Sequence, residues 1–136
     1  MSESLEHQIF VKRIVEYVRT IVPNEYLDRI RADLPEHEKP MLAYDNFIPD
    51  VLYSYGTSLI IGEAKTFDDY NRNHSRRQYE AYVKECKNFP GRSMIVIAVP
   101  WQLYITAKNH FLQLKKKYDA EFSIVVISEN GLSDVI

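Results

Sequence analysis

Ile48-Pro49-Asp50-Val51-Leu52-Tyr53-Ser54-Tyr55-Gly56-Thr57-Ser58-Leu59-Ile60-Ile61-Gly62-Glu63-Ala64-Lys65 reads as two apolar strands joined by a short turn. The turn centres on Gly56-Thr57, because a two-residue loop opening with glycine suits a hairpin. Counting outward, Tyr55 faces Ser58, Tyr53 faces Ile60 and Asp50 faces Glu63. Carboxylates directly opposite one another on neighbouring strands lie roughly 5 Å apart and destabilise the pair unless something neutralises them. Strand alternation puts Lys65 on the sheet face of Glu63, while Gly62 and Ala64 turn away. Two acids and a lysine therefore gather at one end of an otherwise apolar hairpin. That set suits a hard divalent cation beside a positive side chain.

Working outward, residues from about Ser4 to Val22 form an amphipathic helix with Phe10, Val11, Ile14, Tyr17, Val18, Ile21 and Val22 on one broad face. Pro23-Asn24 ends it. The charged stretch Tyr26–Pro40 admits a short helix plus a loop. Met41–Tyr44 is a candidate first strand, followed by the hairpin strands Asp50–Tyr55 and Ser58–Thr66, apolar on both faces as central strands are. A polar, flexible segment from Phe67 to Ser75 leads into a helix from about Arg76 to Asn88, broken by Phe89-Pro90-Gly91. Ser93–Val99 is a buried strand, Gln102–Tyr118 a helix and Phe122–Ser128 a last strand. The fold class is α/β, a mixed β-sheet flanked by helices in the order α-β-β-β-α-β-α-β.

The 136 residues form one domain, 1–136, long enough to bury a core. A net charge of -2, from 17 basic and 19 acidic residues, argues against a basic nucleic-acid coat protein but leaves room for a nucleic-acid enzyme with an acidic site. The single cysteine, Cys86, argues against a disulfide scaffold and a cysteine-rich zinc site. No long apolar segment, signal peptide or lipidation motif is evident, so the expectation is a cytoplasmic, intracellular protein with no membrane partner.

Taken singly, the motif residues have plain explanations. Pro-Asp is common at strand starts, and Glu63 with Lys65 suits a solvated pair. Yet Val51, Leu52, Leu59, Ile60 and Ile61 mark central strands, where acids need a partner or a metal. Gln78 and Tyr82, four apart, share a face of the next helix, beside the packing stripe Tyr79, Val83 and Cys86.

The ordered set Pro49-Asp50, Glu63-x-Lys65 and Gln78-x-x-x-Tyr82 resembles the PD-(D/E)xK nuclease superfamily, and within it the QxxxY branch that includes RecB-type and VRR-NUC-like nucleases. The resemblance covers most of the chain, from the first helix to the strand Ser93–Val99. It implies a restriction-endonuclease-like core and a magnesium or manganese ion (Mg²⁺ or Mn²⁺) held by Asp50, Glu63 and the backbone carbonyl of Ala64. Lys65 would orient the attacking water and stabilise charge first, and act as a base second. Gln78 and Tyr82 would border the site. Many members add a glutamate from the first helix. Glu6 is the candidate here, with a solvated first-turn acid as the competing reading. His7, next to it, projects toward the core, where a packed histidine is commoner than a ligand.

Arg72, His74, Arg76 and Arg77, with Tyr70 among them, offer cations for phosphate, or simply a solvated helix start. Lys115-Lys116-Lys117 suits a helix C-terminus and is assigned no binding role. Trp101 after Pro100 could stack on a base, although packing on the domain is the commoner fate of a loop aromatic. Together these features lead to the expectation of a metal-dependent nuclease hydrolysing DNA by water attack. The alternatives are a catalytically silent nuclease-like fold that binds nucleic acid or protein, and a hydrolase of small phosphate esters. Small size makes a homodimer or a larger nuclease complex plausible.

Overall fold

The computed structural model describes residues 4–41, 44–131 and 133–136. Helix α1 (Leu5–Ile21) starts at Ser4, whose hydroxyl accepts from the His7 backbone N–H. Its buried face is His7, Phe10, Val11, Ile14, Val15 and Val18, a stripe of three- and four-residue steps. Val15 joins the stripe, whereas Ile21, expected on it, is exposed. A 3₁₀ turn (Asn24–Arg29) then leads to β1 (Arg31–Ala32).

β1 pairs antiparallel with the first hairpin strand, Arg31 opposite Leu52 and Ala32 opposite Val51, and comes earlier in the chain than the expected first strand Met41–Tyr44. Leu42 and Ala43 lie outside the described residues, Met41 has no regular structure and Tyr44 makes only an isolated bridge to Phe47. The hairpin itself follows the expected register. β2 (Val51–Tyr55) and β3 (Ser58–Ala64) pair antiparallel, with Tyr55 opposite Ser58, Tyr53 opposite Ile60 and Val51 opposite Gly62. Gly56 takes φ +59°, the positive value that the first position of a type II′ turn demands.

The segment after β3 is more ordered than its polarity suggests. Thr66 O accepts from the backbone N–H groups of Asp69 and Tyr70, and the Thr66 hydroxyl bonds Asp69. Helix α2 (Asn73–Asn88) consequently starts three residues before the expected Arg76. It returns the chain to β4 (Arg92–Ala98), parallel to β3. A 3₁₀ turn (Trp101–Leu103), α3 (Tyr104–Lys117), β5 (Ser123–Ile127) and a short β6 (Ser133–Val135) complete the chain.

The strands make one mixed six-stranded sheet in the order β1-β2-β3-β4-β5-β6, parallel only in its β3-β4-β5 centre. Each face has its own core. α1 covers Val51, Tyr53, Ile60, Ala64, Val96 and Val125, while Leu52, Leu59, Ile61, Ile95, Ile97 and Val126 pack under Tyr79, Val83 and Phe111 of α2 and α3. Gly62 lets α1 approach closely: a Cβ there would meet Ile14 Cγ2 at 2.7 Å and Val51 Cβ at 2.9 Å. Among the described residues, no helix is long and apolar enough to cross a membrane.

Candidate active site

β2 begins at Val51 and β3 ends at Ala64, so extending their register by one step brings Asp50 opposite Glu63 at the end of the hairpin away from its turn. Both open on a cleft of about 690 Å³ that His7, Lys65 and Gln78 also line. The acids and lysine are recessed in it: Asp50 is 7%, Glu63 4% and Lys65 8% exposed.

Each charged group is held by a specific partner. Asp50 Oδ2 accepts the Ala64 N–H at 2.9 Å and lies 3.1 Å from His7 Nε2. Glu63 Oε1 accepts the Tyr82 hydroxyl at 2.9 Å, and Glu63 Oε2 is 3.6 Å from Lys65 Nζ. Lys65 Nζ in turn donates to Gln78 Oε1. Gln78 therefore fixes the lysine and Tyr82 fixes the glutamate, which gives the four-residue spacing on α2 a physical purpose. The Lys65 N–H bonds Ala98 O on β4. Strand alternation then directs the polar backbone of Ala64, N–H and C=O alike, to the other side, toward Asp50.

The two carboxylates are pushed in opposite directions. Burial pushes Asp50 up, but hydrogen bonds with His7, Glu63 and the Ala64 N–H together hold it below the ordinary carboxylate value. Burial, followed by the charge of Asp50, drives Glu63 well above its ordinary value, and Lys65 and the Tyr82 hydroxyl offset only part of this. Opposed buried acids of this kind mark a place where positive charge is wanted.

The remaining candidates separate clearly. Glu6 is exposed and does not line the cleft; the α1 residue that does is its neighbour His7. Arg72 and His74 line the cleft, Arg72 also pairing with Asp69 at 3.5 Å. Arg76 lines a separate hollow with Asn109, His110 and Gln113, and Arg77 is exposed and lines neither. Tyr70 is a core residue, its hydroxyl 3.2 Å from His110 Nδ1. The Trp101 ring stays 58% exposed instead of packing on the domain. In the lysine run, Lys117 pairs with Glu80 at 2.7 Å.

Among the described residues, no group of three or more His, Cys, Asp and Glu stands ready-made to hold a metal ion. The donors fit Mg²⁺ or Mn²⁺ in a leaner way. Asp50 and Glu63 would supply two carboxylates and Ala64 its backbone carbonyl, all three lining the cleft. Magnesium sites commonly use only one or two carboxylates and fill the rest with water and phosphate oxygen. In comparisons with family models, curated proteins and solved structures, the chain gives no match.

Proposed function

We propose that the chain is a metal-dependent nuclease with a restriction-endonuclease-like core, hydrolysing phosphodiester bonds of DNA. The observation that carries this reading is the recessed set Asp50, Glu63 and Lys65, in which Gln78 braces Lys65 and Tyr82 braces Glu63, the two helix residues of the QxxxY pattern. The element run α1-β1-β2-β3-α2-β4 also follows the order that the resemblance implies.

A cation bound at Asp50 and Glu63 would polarise a water and neutralise charge on the phosphate. Asp50, anchored by the Ala64 N–H and His7, would be one carboxylate to hold the cation. Glu63, steadied by Tyr82, would be the second carboxylate to hold the ion. Lys65 points its ammonium at the same space, orienting water and countering the charge that builds on phosphate oxygen. Gln78 keeps that ammonium from folding back onto Glu63 alone. Arg72 at the cleft margin supplies a further contact for phosphate.

The test is a panel of labelled DNAs and one chromogenic phosphodiester, incubated with Mg²⁺ or Mn²⁺. Metal-dependent DNA cleavage is expected, with Lys65→Ala slower by about 10²- to 10³-fold, the usual loss of a transition-state charge stabiliser. Salt-sensitive DNA binding without cleavage would leave only a binding module. Turnover of the small ester alone would redefine the substrate.

A further inference from the structure

The end of the sheet that carries the acids also carries large apolar side chains in water. Ile48, two residues before Asp50, is 55% exposed on the cleft wall, and Phe67, two residues after Lys65, is 56% exposed. Trp101 reaches the same end from the neighbouring strand. Ala98 lies opposite Ala64 in the β3–β4 register, and Trp101 follows it by three residues. The Trp101 backbone is not loose, because its N–H donates to Glu129 Oε1 at 2.6 Å and Leu103 N–H closes the turn onto Pro100 O. A pinned backbone thus carries a tryptophan that is 58% exposed.

Exposed aromatics have a cost in water and gain most where flat, apolar partners cover them. The cleft offers cations, Lys65, Arg72 and Lys39, each paired with an acid of the same cleft. Aromatic faces next to cations match a strand whose bases are free to stack and whose backbone is anionic. In a duplex those base faces are already stacked on one another. The recess favours the same ligand, since acids less than a tenth exposed admit one backbone more readily than two.

Resting on the nuclease reading, we propose that Phe67 and Trp101 form a stacking ledge for unpaired DNA, selecting single strands or frayed ends over intact duplex. The bases lie on the two rings, and the backbone passes Arg72 on its way to Asp50 and Glu63.

Trp101 is the only tryptophan, so its fluorescence reports the ledge directly. Wild-type protein in chelator is titrated with an unpaired oligodeoxynucleotide and with a blunt duplex of the same sequence. Saturable quenching by the single strand, with little by the duplex, is expected. Phe67→Ala should weaken single-strand binding about 5- to 100-fold, as loss of one stacked base does. For Trp101→Ala, anisotropy of a labelled oligonucleotide replaces the lost signal, and Trp101→Phe should restore most of the binding. Both positions are exposed, and thermal unfolding checks that the variants stay folded. Equal quenching by duplex, binding with unchanged fluorescence, or no binding of either DNA would overturn the ledge. Single-strand quenching without Mg²⁺- or Mn²⁺-dependent cleavage would overturn the hydrolytic reading and leave the ledge standing.

Discussion

Tyr82 illustrates how much of the site is decided by single atoms. Its ring is 1% exposed among apolar neighbours, and its hydroxyl donates to Glu63. Tyr82→Phe keeps the packing but leaves a buried carboxyl oxygen without its donor, a cost of about 1–3 kcal/mol. Urea unfolding should register that loss, together with slower cleavage. Glu63→Gln should behave oppositely. Burial and the Asp50 charge disfavour the Glu63 carboxylate more than Lys65 favours it, so the neutral amide relieves repulsion. In chelator the variant should be as stable as wild type or more so, by up to about 2 kcal/mol, yet inactive. A large fall in stability would contradict the like-charge picture. Cys86 sets a control elsewhere in the core. It is 2% exposed, and burial pushes its thiol up to about 12, so a thiol reagent at pH 8 should label it only after unfolding.

Between elements, close approach and weak tethers matter more than individual groups. Gly62→Ala would drive a methyl to within 2.7 Å of Ile14 and 2.9 Å of Val51, and α1 or β2 must shift. A loss of about 1–3 kcal/mol is expected from such overpacking, read as a lower urea midpoint. On the other face, Glu80 of α2 bonds Lys117 of α3 and the Tyr118 hydroxyl. The hydrogen bond from Lys117 lowers the Glu80 pKa first, and Tyr118 adds to it. A lowered folded value means the contribution is complete above the unfolded value of 4.5 and fades as pH falls through the folded one. The Glu80→Gln variant should therefore show a slightly shallower acid destabilisation than wild type, and the difference should shrink in high salt. Much of this level was readable in the residues. Gly56-Thr57 and the flanking alternation are enough to define the hairpin register, and the stripe Tyr79, Val83, Cys86 points Gln78 and Tyr82 to the site. Two features were not legible for physical reasons. Arg31–Ala32 is too short and too charged a strand to leave a pattern. Glu6 and His7 differ by one helical step of about 100°. The histidine, three, four and seven residues before Phe10, Val11 and Ile14, is the one on the buried stripe.

At the scale of the whole molecule, two helical layers bury the sheet while the cleft stays open at the ends of β2 and β3. The chain changes direction there after β3 and β4, where the cleft opens and where Phe67 and Trp101 each follow a strand end by three residues. Opposed acids at such a place oppose stability and make sense as a site awaiting positive charge. The partners of Asp50, Glu63 and Lys65 were only partly legible from sequence. Short motifs identify residue types, but hydrogen bonds such as Lys65 to Gln78 depend on how α2 lies on the sheet. The most direct test compares wild type with Asp50→Asn on end-labelled DNA in Mg²⁺, Mn²⁺ and chelator. Cleavage by wild type in either metal, none in chelator, and at least a hundredfold loss in an Asp50→Asn protein that unfolds like wild type are expected, the scale of removing one transition-state charge stabiliser. Cleavage at the wild-type rate by Asp50→Asn, or by wild type in chelator, would contradict a metal-dependent centre at Asp50 and Glu63.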